Sequence, residues 1–192
     1  EQRFKMAHTA YPQSYYAASA NPVPQRPTLQ GEVETDVCII GAGYTGLSTA
    51  LFLLENGFKV SIVEAAKVGF GASGRNGGQI VNSYSRDIDV IERTVGPKQA
   101  QLLGQMAFEG GRIIRERIAK YDIQCDLKDG GVFAALTSKQ MGHLESQKKL
   151  WERYGHTQLE LMDAKRIREV VATENYVCLL YTSLSGLARQ TA

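Results

Sequence analysis

Three features of this sequence could do chemistry together: glycines at 41, 43 and 46, an acid at 64, and a polar, glycine-dense loop at 69–79. The first, "GAGYTG", fits G-x-G-x-x-G, a pattern that means little alone. Here it follows a short apolar run, "DVCII", and opens a helical pattern. The next β-branched run, "KVSIVE", ends in Glu64. Strand, glycine turn, helix, strand and acid make up the dinucleotide fingerprint. Gly41 allows the tight turn out of the strand. Gly43, without a Cβ, lets a pyrophosphate approach the backbone, and Gly46 lets helix and strand pack closely. The phosphates would then face the positive end of the helix dipole. Glu64 would accept hydrogen bonds from adenosine ribose hydroxyls, and its charge disfavours a 2′-phosphate. This fingerprint does not separate NAD from FAD.

The loop "GFGASGRNGGQ" (69–79) bears on that choice. It comes directly after Glu64, where a long dinucleotide would continue past its pyrophosphate. A stretch so poor in bulky side chains offers backbone N–H donors and lets a flat ring lie beside it. An NAD enzyme would ordinarily place another helix and strand here.

The elements that must position these residues are legible along the chain. Residues 1–33 are proline- and alanine-rich without periodicity, which predicts an extended arm. "DVCII" (36–40) reads as a buried strand, with Cys38 as a small core residue. Leu47, Ala50, Leu51 and Leu54 recur at helical spacing, and Gly57 sits where a C-cap belongs. "KVSIVE" (59–64) is the parallel partner strand of a βαβ unit. Two helices broken at Gly96-Pro97 follow, the second with an apolar stripe of Leu103, Met106, Ala107, Ile113, Ile114 and Ile118. "CDLKDGGVFAAL" reads as strand, turn at Asp129-Gly130, strand. Thr137 and Gln140 form a capping box for a helix ending at Gly155. "TQLELM" is a strand, and Asp163 caps a short helix over "AKRIREVVA". His143 and His156 are placed on helix and loop surfaces.

With those elements set out, the stretch from "DVCIIGAGYTGLSTALFLLENGFKVSIVEAAKVGFGASGRNGGQI" through "AFEGGRIIRERI" and "MGHLESQKKLWERYGH" resembles the D-amino-acid-oxidase-like, FAD-dependent amine oxidoreductases. "GASGRNGGQ" is the distinctive part. The resemblance implies an α/β fold: a Rossmann-like FAD-binding domain with the start of an inserted α+β substrate domain, together an incomplete fold. It implies oxidative deamination of a small primary amine, with O2 as acceptor, to aldehyde, ammonia and hydrogen peroxide. Carried over by position, Gly41, Gly43 and Gly46 would hold the FAD pyrophosphate and Glu64 the ribose. Ser73 would reach the pyrophosphate side, and Arg75, Asn76, Gly77, Gly78 and Gln79 would line the flavin. Thr45, Ala65 and Gly74 fall in the same cofactor-contacting set. Tyr44 either touches the cofactor or packs on the arm. Some relatives attach FAD through a histidine in this loop; with none here, FAD is expected to be non-covalent.

The resemblance covers residues 11–177 and implies a division into arm (1–33), FAD-binding unit (34–122) and start of a substrate region (123–177). "CLLYTSLSGLARQTA" (178–192) remains unassigned, and the chain is expected to be an N-terminal fragment that turns over little by itself. Two other readings stay open. One is a relative acting on an amino acid, glycine or sarcosine. The other is a dinucleotide-binding module without chemistry, which would have no need to cushion a flavin ring.

Composition narrows the classes. Of 192 residues, 43% are hydrophobic and 22% charged, an ordinary globular balance. The net charge of +2 is accounted for by Arg3, Lys5 and Arg26 against Glu1. Without a basic stripe, nucleic acid is not an expected partner. No segment reaches the ~18 apolar residues of a membrane span. Three cysteines, an odd number without C-x-x-C spacing, argue against a disulfide framework. The first residues lack the ~7–15-residue apolar core of a signal peptide, so a reduced, cytoplasmic setting is expected. The three histidines show no metal-ligand spacing. Met6 marks a possible natural start.

Overall fold

The computed structural model describes residues 10–22, 24–81 and 84–187, excluding the side chains of 183–187. Arg3, Lys5, Met6, His8 and residues 188–192 lie outside the described residues. The chain divides into two compact units between Gly78 and Gln79.

In the first unit the arm is not wholly extended. Ser14 caps a short helix, α1 (Tyr15–Ser19), its hydroxyl accepting from the Ala17 N–H at 3.2 Å. Strand β1 (Val37–Ile40), helix α2 (Tyr44–Glu55) and strand β2 (Val60–Val63) then form the βαβ unit, with the strands parallel and Val37 opposite Val60. Gly57, at φ +84°, takes the chain out of α2. This register puts Val37, Ile39, Val60 and Ile62 on one face and Cys38, Ile40, Ser61 and Val63 on the other. Helix α2 covers the Ile39 face, since a Cβ on Gly46 would stand 3.3 Å from the Ile39 side chain. Among the described residues of this unit, nothing covers the second face equally. Cys38 is exposed and Ile40 is 88% exposed, so the expectation of a buried strand fails on that side. Ala50 is the residue of α2 that is fully buried, while Leu54 points outward.

The second unit is a sheet assembled on one strand. Its elements are β3 (Gln79–Ile80), α3 (Ile88–Val95), α4 (Pro97–Lys120), β4 (Lys128–Ala135), α5 (Ser138–Arg153), β5 (Leu159–Asp163), α6 (Ala164–Val170) and β6 (Cys178–Leu187). β6 pairs antiparallel with β4 along one edge, and with β5 and β3 along the other. The tail left unassigned by the sequence therefore begins as the central strand. Its side chains alternate: Cys178 and Leu180 join Ala135 and Leu144 under α5, while Leu179 joins Met162 and Ile167 under α6. Burial there raises the Cys178 thiol pKa.

Local signals held where they were strongest. Thr137 and Gln140 make the capping box, and Asp163 accepts from the Arg166 N–H at 2.9 Å. Pro97 starts α4 directly after Gly96. The strand–turn–strand reading of 125–136 is corrected: β4 is one strand with an irregularity between Asp129 and Gly131. Gly130 (φ +103°) absorbs it, and a Cβ there would meet the Tyr181 ring at 2.9 Å. The apolar stripe of α4 is also shifted. Met106 and Ile114 are exposed, and the buried line is Ala100, Gly104 and Gly111. Gly104 is small because Tyr154 packs there, 3.3 Å from where a Cβ would be. Helices α3 and α4 pack on the end of α5 through Ile88, Ala100 and Tyr154.

His156, expected on a loop surface, is buried, at 5% exposure, between Phe108 and Trp151. Its Nε2 lies 3.1 Å from the Thr182 hydroxyl, while Nδ1 is buried without a hydrogen-bond partner. Burial lowers its pKa below the ordinary 6.5. The neutral ring is the one that fits, and the unfolded chain binds the extra proton. The stability this contributes is complete above pH ~6.5 and is lost as pH falls below it. Melting temperature should therefore drop between pH 7 and 5.5, and His156→Gln should flatten that slope. Ile167, with no exposed surface, should cost ~2–5 kcal/mol when cut to alanine, read by urea unfolding.

Candidate functional site

The site is built around the turn from β1 into α2. Gly41 has φ +100°, where only glycine is at ease, and its N–H donates to the Val63 carbonyl at 2.8 Å. The first carbonyl of the turn passes so close to the helix that a Cβ on Gly46 would lie 2.0 Å from the Gly41 oxygen. Gly43 is the N-cap of α2 and offers no side chain to its first turn. No acidic residue stands in that turn, so an anion approaching the helix N-terminus meets N–H groups and a positive dipole end.

Glu64 follows β2 and is anchored on the same turn. One carboxylate oxygen accepts from the Ala42 N–H at 2.8 Å, the other from the Ala66 N–H at 3.0 Å. These amides, Ala42 first and then Ala66, hold its pKa below the ordinary carboxylate range. Glu64 is thus a fixed anion with lone pairs to spare for hydroxyl donors. Sequence reasoning named Glu64 but not Ala42, whose N–H orients it; the unspecified x of a motif gave no signal for that.

The second glycine stretch lies against the first. Gly69 N–H donates to the Ala42 carbonyl at 2.9 Å. A 3-10 turn at Ala72–Gly74 brings the Ser73 hydroxyl to 3.0 Å from the Tyr44 N–H, which it accepts. That hydroxyl is 3.0 Å from where a Gly43 Cβ would be, while a Gly74 Cβ would come within 2.2 Å of the Gly69 carbonyl. Asn76 accepts from the Gly78 N–H at 2.9 Å and donates to the Ala72 and Ser73 carbonyls at 3.1 and 3.2 Å. Its amide also pairs with the Tyr44 hydroxyl at 3.1 Å. Arg75 turns onto Phe70, donating to its carbonyl at 3.0 Å and standing 5.0 Å over its ring. Gly41, Gly43, Tyr44, Thr45, Gly46, Glu64, Ala65, Ser73, Gly74, Arg75, Asn76, Gly77 and Gly78 all belong to the first unit; Gln79 opens β3 in the second.

A contribution from the arm went unread in the sequence. Tyr11 donates to the Val68 carbonyl at 2.6 Å, packs near Phe70 and lies 5.0 Å beneath the Lys67 ammonium. Burial raises its phenol pKa. An aromatic in an aperiodic arm carries no spacing signal.

Comparison with known proteins bears on this geometry. A profile described as FAD dependent oxidoreductase matches residues 36–190, well into the stretch the sequence left unassigned. The chain is 56% identical over 178 residues to the gamma-glutamylputrescine oxidoreductase of Escherichia coli K12, covering 93% of this chain and 42% of that protein. It is 42% identical over 181 residues to the probable oxidoreductase OrdL of Haemophilus influenzae, again covering 42% of it. The chain thus spans about two fifths of these relatives' length. Among solved structures, L-amino acid deaminase from Proteus myxofaciens superposes with a TM-score of 0.68 at 21% identity, over 89% of this chain and 36% of that one. Glycine oxidase from Bacillus cereus gives 0.55 at 20% identity, over 81% and 41%. At these identities the structural likeness is one of fold.

The two glycines beside the turn should differ in sensitivity. Gly46→Ala drives a methyl into backbone and should destabilise the chain by ~1–3 kcal/mol. Gly43→Ala meets only a rotatable hydroxyl and should cost less. Thermal melts of the two variants check the order.

Proposed function

The chain belongs to the FAD dependent oxidoreductase family, and from that membership we propose that it is the N-terminal part of an enzyme that oxidatively deaminates a small primary amine of the gamma-glutamylputrescine type. In this reading the products are an aldehyde, ammonia and hydrogen peroxide, with O2 as the acceptor. The first unit is the Rossmann-like FAD-binding part, the second the beginning of the α+β substrate domain, and the setting is the reduced cytoplasm.

The carrying observation is the lashing of the 69–78 loop onto the β1–α2 turn, with Ser73 on the Tyr44 N–H. The residues suit a dinucleotide at both ends. A helix N-terminus without acids, capped by a glycine that brings no side chain, suits a pyrophosphate. A carboxylate held ionised by backbone amides suits ribose hydroxyls, which donate more strongly to a charged acceptor than to a neutral one. The second glycine stretch, beyond what NAD requires, favours FAD over NAD and favours an enzyme over a bare nucleotide module.

Bound FAD supplies the redox chemistry, taking two electrons from the amine and returning them to oxygen. The chain's own residues bind and orient. Gly41, Gly43 and Gly46 shape the phosphate cradle, Ser73 presents a hydroxyl beside it, and Glu64 holds the ribose end. Gly77 and Gly78 keep the loop free of bulk for the flavin, which is held without a covalent bond because the loop has no histidine.

The full-length protein containing this chain should carry a yellow chromophore absorbing near ~450 nm that acid precipitation releases. Anaerobic gamma-glutamylputrescine should bleach it, and air should restore it with peroxide. A colourless protein that retains NAD would overturn the cofactor. Bleaching by glycine or another amino acid alone would move the substrate to a related oxidase. Glu64→Gln should weaken FAD binding about tenfold, since charged hydrogen bonds carry ~1.5–3 kcal/mol, measured by titration of the apoprotein.

A further inference from the structure

We infer that Tyr44 acts on the cofactor indirectly, as a positioning residue that latches the flavin-side loop through Asn76. This rests on the FAD reading above. Tyr44 is the first residue of α2, and its backbone and side chain reach the loop by separate routes. The N–H donates to the Ser73 hydroxyl at 3.0 Å, and the phenol oxygen accepts from the Asn76 side-chain NH2 at 3.1 Å. The phenol oxygen also lies 3.4 Å from Asn76 Oδ1, so the two groups face each other as a pair.

Asn76 is the node that shapes the loop. It accepts the Gly78 N–H on one side and reaches back to the carbonyls of Ala72 and Ser73 on the other. The loop is rich in glycine, and glycine pays the largest ordering entropy of any residue. A single side chain that satisfies several backbone groups replaces the packing that Gly77 and Gly78 do not provide. Tyr44 ties that node to the rigid first turn of a helix. Arg75, between Ser73 and Asn76, is directed away onto Phe70, and the Tyr44 phenol ties α2 to Asn76. A tyrosine serves better than a phenylalanine because the hydroxyl is the contact. The ring, 57% exposed, adds little packing.

The consequence is that the phosphate-side and flavin-side segments are set together before the cofactor arrives. Loosening the phenol should raise the entropy of the flavin-side loop without touching the phosphate cradle.

The test uses the full-length protein with Tyr44→Phe, Asn76→Ala and the double variant. FAD affinity of the apoprotein, the fine structure of the bound flavin's visible band, and trypsin cleavage after Arg75 in the apoprotein are the readouts. Tyr44→Phe should weaken FAD three- to tenfold, blur the visible band and speed cleavage at Arg75 several-fold, with an unchanged melting profile. Asn76→Ala should do all three more strongly, and the double variant should match Asn76→Ala alone. Wild-type behaviour of Tyr44→Phe in flavin-loaded protein overturns the latch and leaves the FAD reading standing. Effects of the two substitutions that simply add would overturn it too, placing Tyr44 in direct contact with the cofactor. A wild-type protein that retains no flavin removes the FAD reading and the latch with it.

Discussion

The closeness of α2 to the turn that precedes it is the constraint on which the first unit depends. A carbonyl oxygen at Gly41 stands where Gly46 would carry its first side-chain atom. That approach aligns the helix N-terminus with the end of β1 and brings the Ala42 N–H within reach of Glu64. It also leaves Gly43 facing Ser73. Helix dipole, fixed carboxylate and second glycine stretch are all brought to one place by an absence of side chains at three positions. Polar contacts then confirm an arrangement that sterics have already selected.

The second unit solves a different problem. Its sheet has helices on both faces, and the alternation of β6 supplies each of them: Cys178 and Leu180 to α5, Leu179 to α6. Each buried carbon there stabilises by the ordinary transfer of apolar surface from water. By contrast, β1 and β2 have one face of Cys38 and Ile40 in the open. The two units differ in completeness, in keeping with a chain that covers about two fifths of its relatives.

Local rules were readable where the physics is local. The capping box at Thr137 and Gln140, the Asp163 cap, the Gly96-Pro97 break and the glycine turn at 41–46 each depend on neighbours within a few residues. Failures came where burial is decided by distant chain. An apolar run such as "DVCII" states that a strand wants cover, but not that the cover exists on both faces. His156 reads as a loop residue until Phe108 and Thr182, far away in sequence, close over it. Gly130 reads as a turn because a positive φ and a turn share a signature. Only the pairing of β4 with β6 shows that the chain keeps going straight. The close approach at Gly41 and Gly46 and the placing of Glu64 at the end of β2 were legible because each has a reason tied to its own backbone, whereas Ala42 and Tyr11 act through groups that every residue, or any aromatic, could offer.

Strand order gives β6 a further significance. Three strands made earlier, β3, β4 and β5, have β6 as their common partner, and Gln79 must find Leu187 across more than a hundred residues. On a ribosome such a sheet has no early half-assembled form to rest in; its edges stay unsatisfied until the keystone emerges. High contact order of this kind slows closure and prolongs exposure of pairing surfaces. The nascent second unit is therefore a natural client for chaperones, while β1 and β2 ahead of it pair across a single helical crossover.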